Sequence, residues 1–274
     1  QQQYINLEIG GGQFLVGGLP WIHDASLPGG KPGPNLNAQN SVRLDNNAQP
    51  LGAYLPQELK PESVASFEIG YKGLIAKRLL VDAYYYTGQY DNFIGRTLVA
   101  RQVSPQQNQI YSIVENAATM SASGGGNVKI DPIKVKTSGY GLGLDYRLNS
   151  GLSVFANYFH DELGNVPADF VAGFNTPDHR INFGAGHSGF GKNKRMVFNV
   201  TGRWQTDFLW EADFATGTVP SFFTMDAMIG YRFPAIGSLV KLGATNVLNK
   251  YYMNGFGNPQ IGGLYYVSFA YNVF

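Results

Sequence analysis

The stretch "SFFTMDAMIGYRF", Ser221 to Phe233, sorts into two lists when every second residue is read. Phe223, Met225, Ala227, Ile229, Tyr231 and Phe233 are apolar or aromatic. Thr224, Asp226, Met228, Gly230 and Arg232 are mostly polar or small. Successive side chains of a strand point to opposite faces. One face is therefore greasy and the other carries an acid and a base. What the greasy face looks at decides the fold.

The same alternation recurs along the chain. Phe67, Ile69 and Tyr71 oppose Glu68, Gly70 and Lys72; Leu79, Val81, Ala83 and Tyr85 oppose Leu80, Asp82, Tyr84 and Tyr86. It returns at 140–147, 152–159, 180–185, 198–205, 240–245 and 265–273, and again at the start, where Ile5, Leu7 and Ile9 oppose Tyr4, Asn6 and Glu8. The period-two criterion gives about ten strands and no helix. The connections sort by length. Short ones fall near Leu74–Lys77, Asn149–Gly151, Ser188–Lys194 and Pro234–Gly237. Long ones fall near Gly10–Pro61, Thr97–Ile133, Glu162–Asp178, Glu211–Pro220 and Asn249–Gly262. Strict short–long alternation is the habit of an outer-membrane barrel, with short periplasmic turns and long extracellular loops.

Composition points the same way. Charged residues are 14% of the 274, against about a quarter in an average domain, while aromatics are 14% and glycines number 35. There is no cysteine, so no thiol chemistry is available. A net charge of +1 argues for neither nucleic acid nor an anionic surface. No apolar run reaches the ~18 residues of a membrane helix. A soluble β-sandwich also alternates, but it has no reason to sort its loops. Turning Asp82, Asp145, Arg147, Arg203, Asp226, Arg232 and Lys241 toward lipid would cost several kcal/mol each, whereas a wet lumen costs little. The greasy face is thus assigned to lipid, with Tyr71, Tyr146, Tyr231 and Phe233 as an interfacial aromatic girdle.

Five segments then resemble one family in its order. "LPQELKPESVASFEIGYKG" resembles the end of a long outer loop and the descending strand of TonB-dependent outer-membrane receptors. "VDAYYYTGQYDNFIG" is similar to the next ascending strand. "FNTPDHRINFG", "LGATNVLNKYY" and "YYVSFAYNVF" are similar to later strand entries and to the last strand. The resemblance covers Leu55 to Phe274. It implies an antiparallel transmembrane barrel of the 22-stranded kind with a plugged lumen. Residues 1–274 are then expected to be its C-terminal part, with no plug domain in this chain. The implied function is active uptake of a scarce or bulky solute (iron chelate, cobalamin, glycan or peptide). The implied partners are outer-membrane lipid, the remaining N-terminal barrel half and plug domain, the TonB energising complex acting through the plug, and a surface lipoprotein. A passive porin and an outer-membrane hydrolase are the alternatives.

No catalytic constellation is expected. There is no HExxH, zinc-ligand spacing or GxSxG. His160-Asp161-Glu162 is read as solvated polar groups where a strand becomes a loop, and Asp45-Asn46-Asn47 as a turn. Glycine-rich Ala122–Val128 is read as a loop that no strand enters and no helix leaves, hence no phosphate cradle. No metal and no cofactor is expected. Aromatics beside acids in outer loops suit a bulky amphipathic ligand, which makes Trp21, His23, Trp210, Asp213, Tyr252 and Phe256 the ligand-binding candidates. Phe269, Tyr271 and Phe274 are candidates for a barrel-assembly signal, although Phe274 is out of phase with Tyr271 and Val273.

Overall fold

The computed structural model describes residues 6–10, 13–18, 36, 40–45, 49–104, 107–123, 127–212 and 216–271. In chain order the strands are β1 (Asn6–Gly10), β2 (Gln13–Gly18), β3 (Ser41–Leu44), β4 (Pro50–Ala53), β5 (Ser63–Ile75), β6 (Leu79–Asp91), β7 (Ile94–Ser104), β8 (Gln107–Asn116), β9 (Ala118–Ser123) and β10 (Asn127–Pro132). They continue with β11 (Val135–Arg147), β12 (Leu152–Gly164), β13 (Phe170–Val171), β14 (His179–Phe190), β15 (Met196–Gln205), β16 (Phe208–Glu211), β17 (Thr216–Val219), β18 (Phe222–Phe233), β19 (Ser238–Thr245) and β20 (Leu264–Tyr271). The one helical element among the described residues is a 3-10 turn, Pro234–Ile236.

Nine strands form an antiparallel meander in the order β20-β19-β18-β15-β14-β12-β11-β6-β5. Its register fixes the faces, because directly opposed residues share one. Ile229 opposes Phe198 and Leu242, and Leu242 opposes Val267. Ile229, Leu242 and Val267 are 45%, 53% and 73% exposed. A continuous apolar face this bare has hydrocarbon as its natural neighbour. On the other face Asp226 opposes Thr201, and Arg203 opposes Thr224. The division read from Ser221–Phe233 therefore extends across the whole wall. Tyr71, Tyr146, Tyr231 and Phe233 are exposed near the ends of β5, β11 and β18.

Short turns close one end of the wall. Between β5 and β6 the Arg78 N–H donates to the Ile75 carbonyl at 3.0 Å, with Ala76 and Lys77 at φ 48° and 59°. Two positive φ values give the turn a twist that matches its strands. The long connections all leave the opposite end, and several of them carry strands of their own. Strands β1, β2, β8, β7, β3 and β4 pair in that order as a second sheet, with β13 added to β7. This outer sheet holds a buried core around Leu36, Tyr54, Val99, Tyr111 and Ile113.

Four expectations need correction. The described part of the Tyr4–Ile9 alternation does not mark a wall strand, because β1 pairs with β2 in the outer sheet. Among the described residues the wall thus has nine strands rather than ten. The regions Gly10–Pro61 and Thr97–Ile133 are not plain loops, since they supply β2–β4 and β7–β10. In β7 both Thr97 and Val99 are fully buried while their neighbours are half-buried. Protein on both faces erases the alternation. Finally, a strand does enter Ala122–Val128, which links β9 to β10 as a hairpin. His160 likewise lies inside β12 rather than at its end.

Candidate functional site

The inward face of the wall is polar and internally paired. Lys72 and Asp82 oppose each other across β5 and β6 and form an ion pair at 2.8 Å. Arg203 meets Asp226 at 2.5 Å, and the other oxygen of Asp226 accepts the Asn246 backbone N–H at 2.9 Å. Arg180 pairs with Asp161, which also accepts the Tyr86 hydroxyl at 2.7 Å. Between the ion pairs, glycines make room for rings. A Cβ on Gly141 would lie 2.4 Å from the Tyr84 ring, and one on Gly243 would lie 2.4 Å from the Tyr266 ring. Ring over glycine is a known way to cover exposed backbone in a sheet.

Above this face stands an aromatic rim. Phe222 opens β18 on the inward side and packs on Tyr252, with ring centroids 4.4 Å apart. Tyr252 is held by a backbone bridge to Ile261. The β16–β17 hairpin sets Trp210 opposite Gly217. The Phe256 ring lies over Gly217, where a Cβ would meet it at 2.3 Å, and Gly255 sits against the Trp210 ring. Trp210, Tyr252 and Phe256, chosen from sequence, thus belong to two loops that dock on each other. The Trp210 indole N–H is buried and has no hydrogen-bond partner among the described residues. Trp21, His23, Asp213 and Phe274 lie outside the described residues. Phe269 and Tyr271 are exposed on the apolar face of β20, at an edge of the wall. Phe222 was missed as a rim residue, although its place at the start of the deciding stretch was visible.

The segments singled out by resemblance turn out to be the joints of the rim. The Asn116 amide accepts from Lys60 N–H at 2.7 Å and donates to the Lys60 and Asn92 carbonyls. Glu62 accepts the Ile94 N–H at 2.8 Å. Asn175 donates to the Glu211 carbonyl at 2.9 Å and accepts the Glu211 N–H at 2.7 Å. Asn246 and Asn249, both at positive φ, turn the chain after β19. Asn249 accepts the Gly263 N–H at 2.7 Å, and the Asn246 amide donates to the Lys250 carbonyl at 2.8 Å.

The outer sheet carries charge in its interior. Arg43 and Asp169 form a buried ion pair, and the Tyr54 hydroxyl donates to Glu115 at 3.1 Å. Burial raises the Glu115 carboxyl above the usual carboxylate range, opposed by Thr97, the Arg43 charge and Tyr54. Burial also lowers Arg43 and raises Tyr54, and Glu115 adds to the rise of Tyr54. Among the described residues no group of three His, Cys, Asp or Glu side chains is placed to hold a metal ion.

The family model described as "TonB dependent receptor-like, beta-barrel" matches residues 29–249. The chain belongs to the TonB-dependent receptor barrel family. It is accordingly a barrel chain of the bacterial outer membrane. No curated protein matches it. Among solved structures, this receptor chain is similar to the pyoverdine outer-membrane receptor FpvA from Pseudomonas aeruginosa PAO1 bound to pyoverdine. Identity is 17%, the TM-score is 0.52, and the match covers 79% of this chain and 32% of FpvA. It is similar to the ferric-catecholate import receptor Fiu from K12 E. coli (14% identity, TM-score 0.51, 84% and 32% covered). It is similar also to the copper transporter OprC (14% identity, TM-score 0.52, 77% and 31% covered). At these identities the likeness concerns the fold. The aligned part is about a third of the length of each of these chains.

Proposed function

We propose that this receptor chain forms the C-terminal wall and rim of a TonB-dependent transporter that takes up a scarce or bulky solute across the outer membrane. The remaining barrel strands and a plug domain come from outside this sequence, and the TonB complex works through that plug. The observation that carries the reading is a wall with an apolar outer face and an ion-paired inner face, in a chain of this family. Among the described residues no strand pairs with the outer side of β5 or β20, which fits a sheet continued by further strands. The work is gated transport, so no acid–base pair or nucleophile is required.

The solute class is an iron chelate or another bulky, partly unsaturated molecule. Trp210, Phe222, Tyr252 and Phe256 offer ring faces. Solved neighbours that bind pyoverdine or import ferric catecholates fit this class. The test is binding and uptake of labelled ferric siderophores, cobalamin and oligosaccharides by cells carrying the full receptor. Trp210→Ala and Tyr252→Ala should weaken binding of one class and leave the barrel folded. Dissipating the inner-membrane proton gradient should stop uptake and spare binding. Uptake that continues without the gradient would point to a passive channel and overturn the reading.

A further inference from the structure

On the outward face, at the outer end of the wall, four rings meet. His160 of β12 directly opposes His179 of β14, and Tyr140 of β11 directly opposes His160. The two imidazoles stack, with centroids 4.7 Å apart and planes 25° apart. Tyr140 lies 5.0 Å from His160, and Tyr158 lies 6.0 Å from His179. An aromatic belt at the membrane interface explains the tyrosines. It does not explain what the imidazoles do with their nitrogens. His160 Nδ1 lies 2.9 Å from the Asp178 carbonyl. A carbonyl only accepts, so Nδ1 carries the hydrogen and Nε2 keeps its lone pair. His179 Nδ1 lies 2.8 Å from the Tyr158 hydroxyl, which reaches the Tyr140 hydroxyl at 3.5 Å. With Tyr158 accepting from His179 and donating to Tyr140, His179 Nε2 is left free in the same way. An imidazole that donates one N–H to a carbonyl or another oxygen and presents the other nitrogen is the usual state of a metal-ligating histidine. Opposed positions on antiparallel strands bring their Cβ atoms within about 4.5–5.5 Å.

We infer that His160 and His179, with their stacked rings turned so that the two Nε2 lone pairs converge, form a two-histidine chelate for a first-row divalent cation such as Zn²⁺ or Ni²⁺, at the base of the loop 165–178. Imidazole suits these ions and not Mg²⁺ or Ca²⁺. The chain supplies two ligands, and water fills the remaining positions, so the site is an exchangeable one. Its location gives it an effect. β12 and β14 are the two strands that loop 165–178 joins, and that loop carries Asp169 to Arg43 and Phe170 into a core with Ala117 and Val135. The ladder already joins the two strands there, with the Asp161 N–H donating to the Asp178 carbonyl at 3.1 Å, so a cation across the two histidines clamps that last pair against fraying and tightens the hold of the wall on the outer sheet. The inference is independent of which solute is transported.

The test uses the full receptor, untagged, in detergent micelles, titrated with ZnCl₂, NiCl₂ or MgCl₂ by equilibrium dialysis. Expected are saturable micromolar uptake of Zn²⁺ and Ni²⁺ but not Mg²⁺, and slower amide exchange in residues 165–178. His160→Gln and His179→Gln should each weaken binding at least about tenfold. Tyr158→Phe, which removes only the outer-shell oxygen, should weaken it by about tenfold. His187→Ala should leave it unchanged, since that ring sits at the far end of β14, accepting the Gly189 N–H. Heat-modifiable gel mobility confirms that each variant is folded. Uptake by the His160 or His179 variant equal to that of the unaltered receptor, or no saturable Zn²⁺ uptake by the unaltered receptor, overturns the inference.

Discussion

The wall and the outer sheet are built from the same kind of strand and solve opposite problems. The wall has no apolar interior of its own: its greasy residues stand exposed, and its charges are paired in the open on the other face. The outer sheet buries a core as a water-soluble domain does, and it buries Arg43, Asp169 and Glu115 with it. In the wall a side chain is placed by which medium it meets. In the outer sheet it is placed by which partner it finds. The same substitution should therefore fail for different reasons in the two places.

The largest effect is expected in the outer sheet. Asp169→Ala takes the ion-pair partner from buried Arg43 and leaves it only the more distant Glu115, whose carboxyl burial raises; breaking such a buried pair costs about 3–5 kcal/mol. The loss should be local. Amide exchange in β7 and β8 should rise sharply, while the heat-modifiable mobility of the wall stays the same. If the whole wall unfolds instead, the two regions are one cooperative unit and the contrast drawn above is wrong. Next comes Ile229→Arg on the lipid face, costing roughly 2–4 kcal/mol if the position is near the bilayer midplane and about 0–1 near an interface. Refolding stability in lipid vesicles measures it.

A smaller effect separates the regions by pH. The Glu115 carboxyl is raised by burial, so its folded form holds a proton more tightly than its unfolded form does. The stability this contributes is fully present below the ordinary carboxylate pKa and is lost as pH rises through the raised one. The protection of β8 amides, taken relative to the intrinsic exchange rate at each pH, should accordingly rise on acidification from neutral pH, and Glu115→Gln should flatten that dependence. The same pH dependence of protection in both proteins would refute the assignment. The smallest effect is expected for Asp226→Asn. The amide oxygen still accepts the Asn246 N–H, and the half-exposed Arg203 keeps a polar neighbour. The cost should be about 1 kcal/mol or less. A loss larger than that of Ile229→Arg would invert the two faces of the wall.

The contrast also explains what could be read in the sequence. Phe223 to Phe233 announced its faces because lipid lies on one side and water on the other, and a period of two records that difference. The β7 strand announced nothing, because Thr97 and Leu98 both meet protein. Asp226 was assigned to the lumen by its charge, but its bond to the Asn246 backbone depends on a turn that alternation does not encode. The same limit applies at the rim. Trp210, Tyr252 and Phe256 stood out as rings in loops, yet nothing in their spacing says that Phe256 covers Gly217. His160 and His179 lie in different strands, and only the register makes them neighbours. Periodicity gives a residue its face and leaves its partner open.

One joint of the rim has a chemical lifetime. The Asn175 side chain, donating to Glu211 and accepting from it, stands in for a peptide unit of an adjoining strand. A carboxamide does both at once, whereas an ionised carboxylate only accepts. Slow hydrolytic deamidation turns that group into a carboxylate, which keeps the acceptor and loses the donor. The aged side chain then sets a negative charge against the Glu211 carbonyl, close to the Glu211 carboxylate that accepts the Gly173 N–H. The loop would come off its latch with no change in the encoded sequence, so old receptor on a non-dividing cell should differ from new receptor in how firmly its rim is closed.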